Sequence, residues 1–327
     1  MQEDGRSGLR QRALRKRQKP GKTAPMTIPS DRHPVRLRRS VLCVPADNAR
    51  ALAKVAVLEC DAVIYDLEDA VAPDHKAQAR AALVAHLAHK RRPDLEVVVR
   101  INSLSSSFGE QDLAALASAP IDALLLPKVE SPQDIQTVVD ALSDSDAPES
   151  LRLWAMIETP RGVLNAAAIA ETGRTRGGRL DCFVPGVNDL RKETGVPDMP
   201  GRPYLVPWLM QVLLAARGGG LDIIDAVFND FRDADGFAAE CAQGRAMGFD
   251  GKMLIHPAQI GPANDRFGVE VSALAAAHSI IDAFALAENA GKAVINLDGH
   301  MVERLHLDQA LRLVAKATAI QHKGTRT

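Results

Sequence analysis

The chain has 327 residues, of which 46% are hydrophobic and 25% are charged, and its formal net charge is −1. This composition is typical of a globular protein with one large core or two smaller ones, and it excludes a fibrous protein. We expect no window to reach the roughly 20 apolar residues of a membrane-spanning helix and see no secretory signal, so we expect a cytoplasmic protein without a membrane partner.

The N-terminal segment 1–37 is predicted to be a disordered basic arm. Residues 1–39 contain twelve Lys or Arg and three acids, and RQRALRKRQKPGKTAPM (10–26) has no periodic apolar face. The arm is compatible with contact with nucleic acid or another polyanion, an Arg-rich targeting peptide, a solvated tail, or a true start at Met26. Because no aromatic residues are interleaved with the charges, we do not expect nucleic-acid binding.

Residues 38–270 are predicted to form an α/β domain, a (β/α)₈ TIM barrel. Ala-rich segments of helical periodicity separate eight short β-prone segments, which are SVLCVP (40–45), AVIYDLED (62–69), VVVRIN (97–102), ALLLPKV (123–129), LWAMIET (153–159), DCFVPGVND (181–189), IIDAVFND (223–230) and GKMLIHP (251–257). Eight such repeats can close a parallel sheet without an edge. A doubly wound open sheet is the alternative, but PADNAR after the first segment lacks a glycine-rich phosphate turn.

Polar residues lie at the same end of almost every predicted strand. In chain order they are Asp66, Glu68, Asp69, Arg100, Asn102, Lys128, Glu158, Asn188, Asp189, Asn229, Asp230 and His256. The carboxyl ends of barrel strands meet at one face, where the active sites of TIM-barrel enzymes lie. Capping of the next helix would explain Asp69 or Asp230 equally well. It explains less well why Arg100, Lys128 and Glu158 directly adjoin apolar segments.

Carboxylates together with an arginine and a lysine, and without a candidate Cys or Ser nucleophile, point to a magnesium site. Mg²⁺ prefers hard oxygen ligands and takes one or two protein carboxylates, and Mn²⁺ is the alternative ion. We predict Glu158 and Asp189 as the ligand pair. The ion and Arg100 would stabilise negative charge on oxygen during cleavage or formation of a C–C bond.

Seven ordered motifs resemble the citrate lyase beta-subunit-like family of HpcH/HpaI-type aldolases. They are RSVLCVPADNARALAK, YDLEDAVAPDHKAQAR, VVRIN, LLLPKVES, MIETPRGV, GVNDLRKETG and GFDGKMLIHPAQI. The family includes malyl-CoA lyases, citramalyl-CoA lyases, malyl-CoA thioesterases and the citryl-cleaving subunit of citrate lyase. The resemblance implies a TIM barrel with a C-terminal helical lid and oligomerisation segment (271–327), in a homotrimer or homohexamer.

The resemblance also implies roles for the residues at the strand ends. Glu158 and Asp189 would bind Mg²⁺, and Arg100 would contact the substrate and polarise the oxygen at the reacting carbon. Glu68 and Asp69 would serve catalysis beside the metal-bound waters.

Substrate binding is assigned to basic residues in two places. Lys54 matches a position that contacts the phosphates of coenzyme A. The family often has another arginine where this chain has Asn48, and Arg50 is its substitute. Lys128 at the end of the fourth strand is also assigned to the substrate.

The C-terminal segment GKAVINLDGHMVERLHLDQA resembles the family's lid, which reaches over the barrel of a neighbouring subunit and supplies an acid. Counting from Gly299, Glu303 stands where the malyl-CoA lyases have an aspartate, and Asp298 is the alternative. Both are equally compatible with ordinary surface acids on a lid helix.

The expected function is therefore reversible, Mg²⁺-dependent cleavage of a short 3-hydroxyacyl-CoA, such as malyl-CoA or citramalyl-CoA, into acetyl-CoA and a 2-oxo acid. The alternatives are a malyl-CoA-type thioesterase, a citryl-thioester lyase, an aldolase that does not need coenzyme A, and a non-catalytic protein that binds polyanions through its arm. The acyl substrate, the physiological direction and the subunit number stay open.

Overall fold

The computed structural model describes residues 36–89 and 91–324, so the predicted basic arm lies almost wholly outside the described residues. The strands are β1 Ser40–Pro45, β2 Ala62–Asp66, β3 Glu96–Arg100, β4 Ala123–Leu126, β5 Arg152–Ile157, β6 Leu180–Pro185, β7 Asp222–Asp225, β8 Gly251–Leu254, β9 Val294–Leu297 and β10 His300–Glu303. The helices are α1 Ala49–Lys54, α2 Lys76–Leu87, α3 Ser107–Leu116, α4 Pro132–Asp144, α5 Pro160–Glu171, α6 Val187–Thr194, α7 Val206–Gly219, α8 Ala234–Met247, α9 Ile260–Arg266, α10 Val271–Ala285 and α11 Arg304–Gly324.

The strands β1 to β8 form a closed, all-parallel barrel, which confirms the predicted TIM barrel and excludes the open doubly wound sheet. Each strand pairs with the next along the chain, and β8 closes the ring on β1 with Lys252 opposite Ser40. A helix follows each of the strands β1 to β8, as parallel pairing requires.

Alternate residues of each strand point into the barrel, and this alternation decides which polar groups reach its mouth. On β5, Trp154 and Met156 belong to the inner apolar layer, whereas Leu153 and Ile157 pack against the outer helices. Glu158, two residues beyond Met156, is therefore the next inward position. The same spacing directs Arg100 inward after Val98 of β3.

A buried ion cluster closes the amino end of the barrel. Arg38 donates to Glu96 at the start of β3 (Nε to Oε2, 2.8 Å) and to Asp222 at the start of β7 (Nη1 to Oδ2, 2.8 Å). Its guanidinium also lies over the Trp154 ring, 4.7 Å from the centroid. The amino end of the barrel is thus filled by ion pairs at the starts of its strands.

The C-terminal segment contains helices, as predicted, but the stretch resembling a lid also contains a β-hairpin. The antiparallel strands β9 and β10 are joined by Asp298 (φ +50°) and Gly299 (φ +84°). An Asp-Gly pair is a strong signal for such a turn, because both positions require positive φ. The predicted C-terminal helices are present as α10 and α11, and the hairpin is a further element that we did not predict.

The expectation that no segment is apolar enough to span a membrane needs correction. Among the described residues, the stretch Pro257–Ala285 is long and apolar enough to cross a membrane by length and composition alone. The stretch is not one continuous helix, since α9 ends at Arg266 and α10 begins at Val271. Its apolar character comes largely from α10, most of whose residues are exposed.

Candidate active site

Glu158 lies directly after β5 and has no solvent-exposed surface (0%). Its Oε1 accepts a hydrogen bond from the backbone N–H of Lys128 at 2.8 Å. Its Oε2 is buried and has no hydrogen-bond partner in the described chain. Burial, together with the negative charges of Glu68 and Asp189, raises the pKa of Glu158 to about 7. One oxygen of this carboxylate is therefore left without a hydrogen bond inside the fold.

The space beside that oxygen exists because residue 186 is a glycine. A Cβ atom on Gly186, directly after β6, would lie 2.4 Å from both Cβ and Oε2 of Glu158. The glycine thus allows the carboxylate to approach the β6 backbone closely. Asp189 follows in the first turn of α6 and is half-buried, so it lies on a helix and not at the end of a long strand as predicted.

Arg100 is held by Asp66, a residue that the sequence places at a strand end but that we did not assign to the site. Arg100 Nε donates to Asp66 Oδ1 at 2.7 Å, and Nη2 donates to Oδ2. Burial opposes the charge of Arg100, but the hydrogen bonds and charge of Asp66 outweigh it and raise the pKa of Arg100. The strand register, which places Asp66 opposite Arg100, would have identified this partner.

Glu68 and Asp69 were predicted together, but the structure separates their environments. Glu68 is buried between two cations, with Oε1 2.6 Å from Lys128 Nζ and Oε2 3.0 Å from Arg100 Nη1. Burial raises the pKa of Glu68 despite these cations. The Asp69 side chain is 60% exposed and reaches Arg100 Nη1 only at 4.0 Å. Glu68 therefore belongs to the buried group, and Asp69 lies at its rim.

Lys76 supports the loop that carries Glu68 and is a further residue that we missed in the sequence. It is buried, and its Nζ donates to the backbone carbonyls of Leu67 and Glu68, both at 3.0 Å. Lys76 is the first residue of α2, and the sequence does not indicate that its side chain folds back onto the preceding loop.

The group at the barrel mouth is rich in negative charge. The acids Asp66, Glu68, Asp69, Glu158 and Asp189 share it with two bases, Arg100 and Lys128. The part of the chain that the structure describes has no cluster of three or more His, Cys, Asp or Glu arranged to hold a metal ion. A carboxylate pair with an unpaired buried oxygen nevertheless fits Mg²⁺, which uses few protein ligands and retains waters. The donor set is compatible with the predicted ion.

The predicted coenzyme A contacts lie on another element. Arg50 and Lys54 are exposed on α1, and neither contacts the carboxylate group. Asn48, which stands where the family often has an arginine, caps α1 by accepting from the N–H of Ala51 at 3.0 Å. Substrate binding by Arg50 and Lys54 stays a prediction.

No hydrogen bond or ion pair within the described residues joins either candidate lid acid to the carboxylate group. Glu303 ends β10, and its backbone N–H donates to His306 Nδ1 at 2.9 Å. Asp298 occupies the left-handed turn position of the hairpin. Their catalytic assignment stays a prediction.

Three polar residues that follow the last three barrel strands, β6 to β8, make contacts with one another or with nearby residues. Asn188 and Asn229 exchange amide hydrogen bonds of 3.3 and 2.9 Å. His256 accepts from the N–H of Ala258 at 3.2 Å and stacks on Phe231, with ring centroids 4.6 Å apart. These contacts explain the residues structurally.

A cavity of about 360 Å³ opens beside the site, between the loops that follow β3 and β4. The polar residues that line it are Asn102, Ser103, Ser105, Lys128, Glu130, Asp134 and Thr137. Lys128 forms the boundary between this cavity and the carboxylate group.

Comparisons with known proteins agree with this geometry. A family model described as HpcH/HpaI aldolase/citrate lyase matches residues 39–257. A (3S)-malyl-CoA thioesterase of Cereibacter sphaeroides is 45% identical over 287 residues, which cover 86% of this chain and 95% of the relative. The mitochondrial citramalyl-CoA lyase of Homo sapiens is 33% identical over 304 residues, covering 90% and 89%. Among solved structures, CitE of Mycobacterium tuberculosis in complex with magnesium, acetoacetate and coenzyme A is similar with a TM-score of 0.68 and 30% identity, covering 85% of this chain and 97% of that chain.

Proposed function

Because this chain belongs to the HpcH/HpaI aldolase/citrate lyase family, we propose that it is a Mg²⁺-dependent carbon–carbon lyase of short 3-hydroxyacyl-CoA thioesters. Malyl-CoA and citramalyl-CoA are the proposed substrates, and acetyl-CoA with glyoxylate or pyruvate the products. The observation that carries the proposal is the buried Glu158 oxygen without a hydrogen-bond partner in the described chain, at the mouth of the barrel.

Glu158 and Asp189 would hold the metal, and a bound Mg²⁺ would supply Lewis-acid stabilisation of the substrate oxygens. The similarity to a CitE structure that contains magnesium and coenzyme A supports both groups. Stabilisation of negative charge on the substrate is also assigned to Arg100. The bidentate contact with Asp66 holds Arg100 rigidly at the mouth.

Cleavage of the C–C bond requires removal of the substrate hydroxyl proton and protonation of the acetyl-CoA enolate. Arg100 would stabilise the negative charge on the substrate oxygen once its proton is removed; as the carbonyl of the 2-oxo acid then forms and the C–C bond breaks, that charge passes to the enolate. Glu68 and the exposed Asp69 are the nearby carboxylates proposed to accept the hydroxyl proton, through water, and to pass it to solvent. Glu303 is proposed to give the proton to the enolate carbon.

A thioesterase is the second candidate, and a specific observation favours it. The (3S)-malyl-CoA thioesterase of Cereibacter sphaeroides is 45% identical to this chain, against 33% for the human citramalyl-CoA lyase. The same mouth would then bind the hydroxyacyl group, while water would attack the thioester carbonyl. The C–C bond would stay intact.

One experiment separates the two activities. Purified protein is incubated with malyl-CoA and with citramalyl-CoA, in Mg²⁺ or in EDTA, and the products are identified by mass spectrometry. Lysis yields acetyl-CoA and an oxo acid in equal amounts, whereas hydrolysis yields coenzyme A and the hydroxy diacid. If neither thioester is consumed in Mg²⁺, the proposal for these substrates fails.

We also propose a homotrimer or homohexamer in which the lid of one subunit covers the barrel of its neighbour. The exposed apolar residues of the C-terminal segment support this arrangement, among them Val271 (85% exposed), Met301 (67%) and Leu305 (50%). The cytoplasmic location expected from the sequence stays a prediction.

A further inference from the structure

Lys128 adopts a backbone conformation that lysine rarely takes. Its φ is +51°, and the other non-glycine residues with positive φ in the described ranges are Asp146, Arg202 and Asp298. Aspartate tolerates the left-handed region because its side chain bonds locally, whereas lysine has no such compensation. Strain of this kind is held in place by surrounding structure and is often found at functional sites.

The left-handed turn redirects one backbone N–H away from the strand pattern. The N–H of Val129 donates to the carbonyl of Met156 on β5 at 3.2 Å, as a continuing strand would. The preceding N–H, that of Lys128, instead donates to the Glu158 side chain, reaching Oε1 at 2.8 Å. Two successive amides thus hold β5 and the carboxylate that follows it.

The other oxygen of this carboxylate, Oε2, packs against Gly186. It fits there because glycine has no Cβ atom. Oε1 is therefore occupied by a hydrogen bond, and Oε2 is the oxygen without one in the described chain. A carboxylate held in this way presents a single oxygen in a fixed direction.

We infer that Lys128 is a positioning residue, whose left-handed backbone turns its N–H onto Glu158 Oε1 and so fixes Oε2 as the atom that binds the metal. This inference rests on the proposed function, since it concerns the same metal. It assigns the role to the backbone of Lys128, whereas the predicted substrate contact belongs to Nζ, which meets Glu68 at 2.6 Å.

The test compares two substitutions that both remove the ammonium but differ in backbone preference. Lys128→Gly adopts positive φ without strain and keeps the N–H, whereas Lys128→Val resists positive φ because its side chain is β-branched. Asp146→Val is the matched control, because Asp146 has a φ of +53° but is an exposed residue outside the mouth group. The affinity of each full-length, EDTA-treated variant for Mg²⁺ is measured by calorimetry, alongside thermal unfolding.

We expect the affinity of Lys128→Gly to stay within about threefold of the wild type, and that of Lys128→Val to fall roughly 10- to 100-fold, as for lost supporting contacts of metal ligands. Asp146→Val should lower the melting temperature but not the affinity. If Lys128→Val does not fold, Lys128→Ala replaces it, with a smaller loss of affinity expected.

Equal Mg²⁺ affinity of the folded Gly and Val (or Ala) variants would overturn the inference while leaving the metal site intact. Absence of Mg²⁺ binding by the wild-type protein would instead remove the proposed metal site, and the positioning role with it. The two failures are therefore distinguishable in the same titration.

Discussion

Glu158 is the residue at which stability and function conflict. A fully buried carboxylate without a partner for one oxygen is costly when it is ionised, and a metal ion would offset that cost. The same argument explains why Gly186 and the Lys128 N–H surround it so closely. The metal-free protein should therefore lose stability when Glu158 is ionised.

The pH dependence of stability in EDTA should reveal that cost. A glutamate titrates near 4.5 in the unfolded chain, whereas burial raises the pKa of Glu158 to about 7 in the folded protein. The folded state binds more protons between these values, so the free energy of unfolding falls as the pH rises through this window. Glu158→Gln, which keeps a neutral side chain, should gain about 2 kcal/mol relative to the wild type between about pH 5 and pH 8.

Chemical unfolding of both proteins at the two pH values measures this difference, and other titrating groups largely cancel in the comparison. In saturating Mg²⁺ at high pH, the wild type should have the higher free energy of unfolding of the two proteins, because only the wild type gains the free energy of binding. A wild type and variant with the same pH profile in EDTA would contradict the raised pKa.

Among the elements, the hairpin of β9 and β10 favours one of the two candidate lid acids. Asp298 occupies a left-handed turn position, which by itself accounts for an aspartate there. Glu303 ends β10, and no such turn requirement applies to it.

We therefore predict that Glu303→Gln lowers kcat of the proposed cleavage by about 100-fold or more, the range of lost acid–base catalysis. Asp298→Asn should leave kcat within about threefold, because asparagine also tolerates the turn. Steady-state kinetics of both variants tests the assignment. A large loss in Asp298→Asn with a normal Glu303→Gln would reverse it.

Much of the barrel could be predicted from sequence because its strands have a clear local pattern. Short apolar segments separated by Ala-rich helices predicted all eight barrel strands, and the period-two alternation brings Glu158 and Arg100 to the mouth. Asp189 was predicted to close the sixth β-prone segment, whereas it lies in the first turn of α6.

The remaining features depend on contacts that no local pattern encodes. The pairing of Asp66 with Arg100 follows only from the register of two strands 34 residues apart. The diverted N–H of Lys128 follows from its positive φ, which the presence of a lysine does not predict. The hairpin, by contrast, was predictable from Asp298 and Gly299, and we missed it because the segment was interpreted as a helical lid.

At the scale of the whole molecule, the site of one chain is incomplete if the lid acid belongs to it. Glu303 has no contact with Glu158 or Asp189 within the described chain, and the C-terminal segment exposes apolar residues such as Met301. A neighbouring subunit would both cover that surface and supply the acid.

Mixing two inactive variants tests this arrangement. Glu158→Gln lacks the metal ligand and Glu303→Gln lacks the lid acid, so a mixed oligomer contains some sites with both intact residues. We expect co-refolded or co-expressed mixtures to recover a measurable fraction of wild-type activity, of the order of a quarter, which neither variant shows alone. Mixtures as inactive as their components would place the acid and the barrel in the same chain.

The central claim is that Glu158 and Asp189 form a magnesium site at the carboxyl end of the barrel. Calorimetric titration of Mg²⁺ into the EDTA-treated wild type, Glu158→Gln and Asp189→Asn tests it most directly, with Glu130→Gln as a control acid on the neighbouring loop. We predict that the first two variants lose affinity by about 100-fold or more, whereas Glu130→Gln binds like the wild type. Wild-type affinity in Glu158→Gln would contradict the claim.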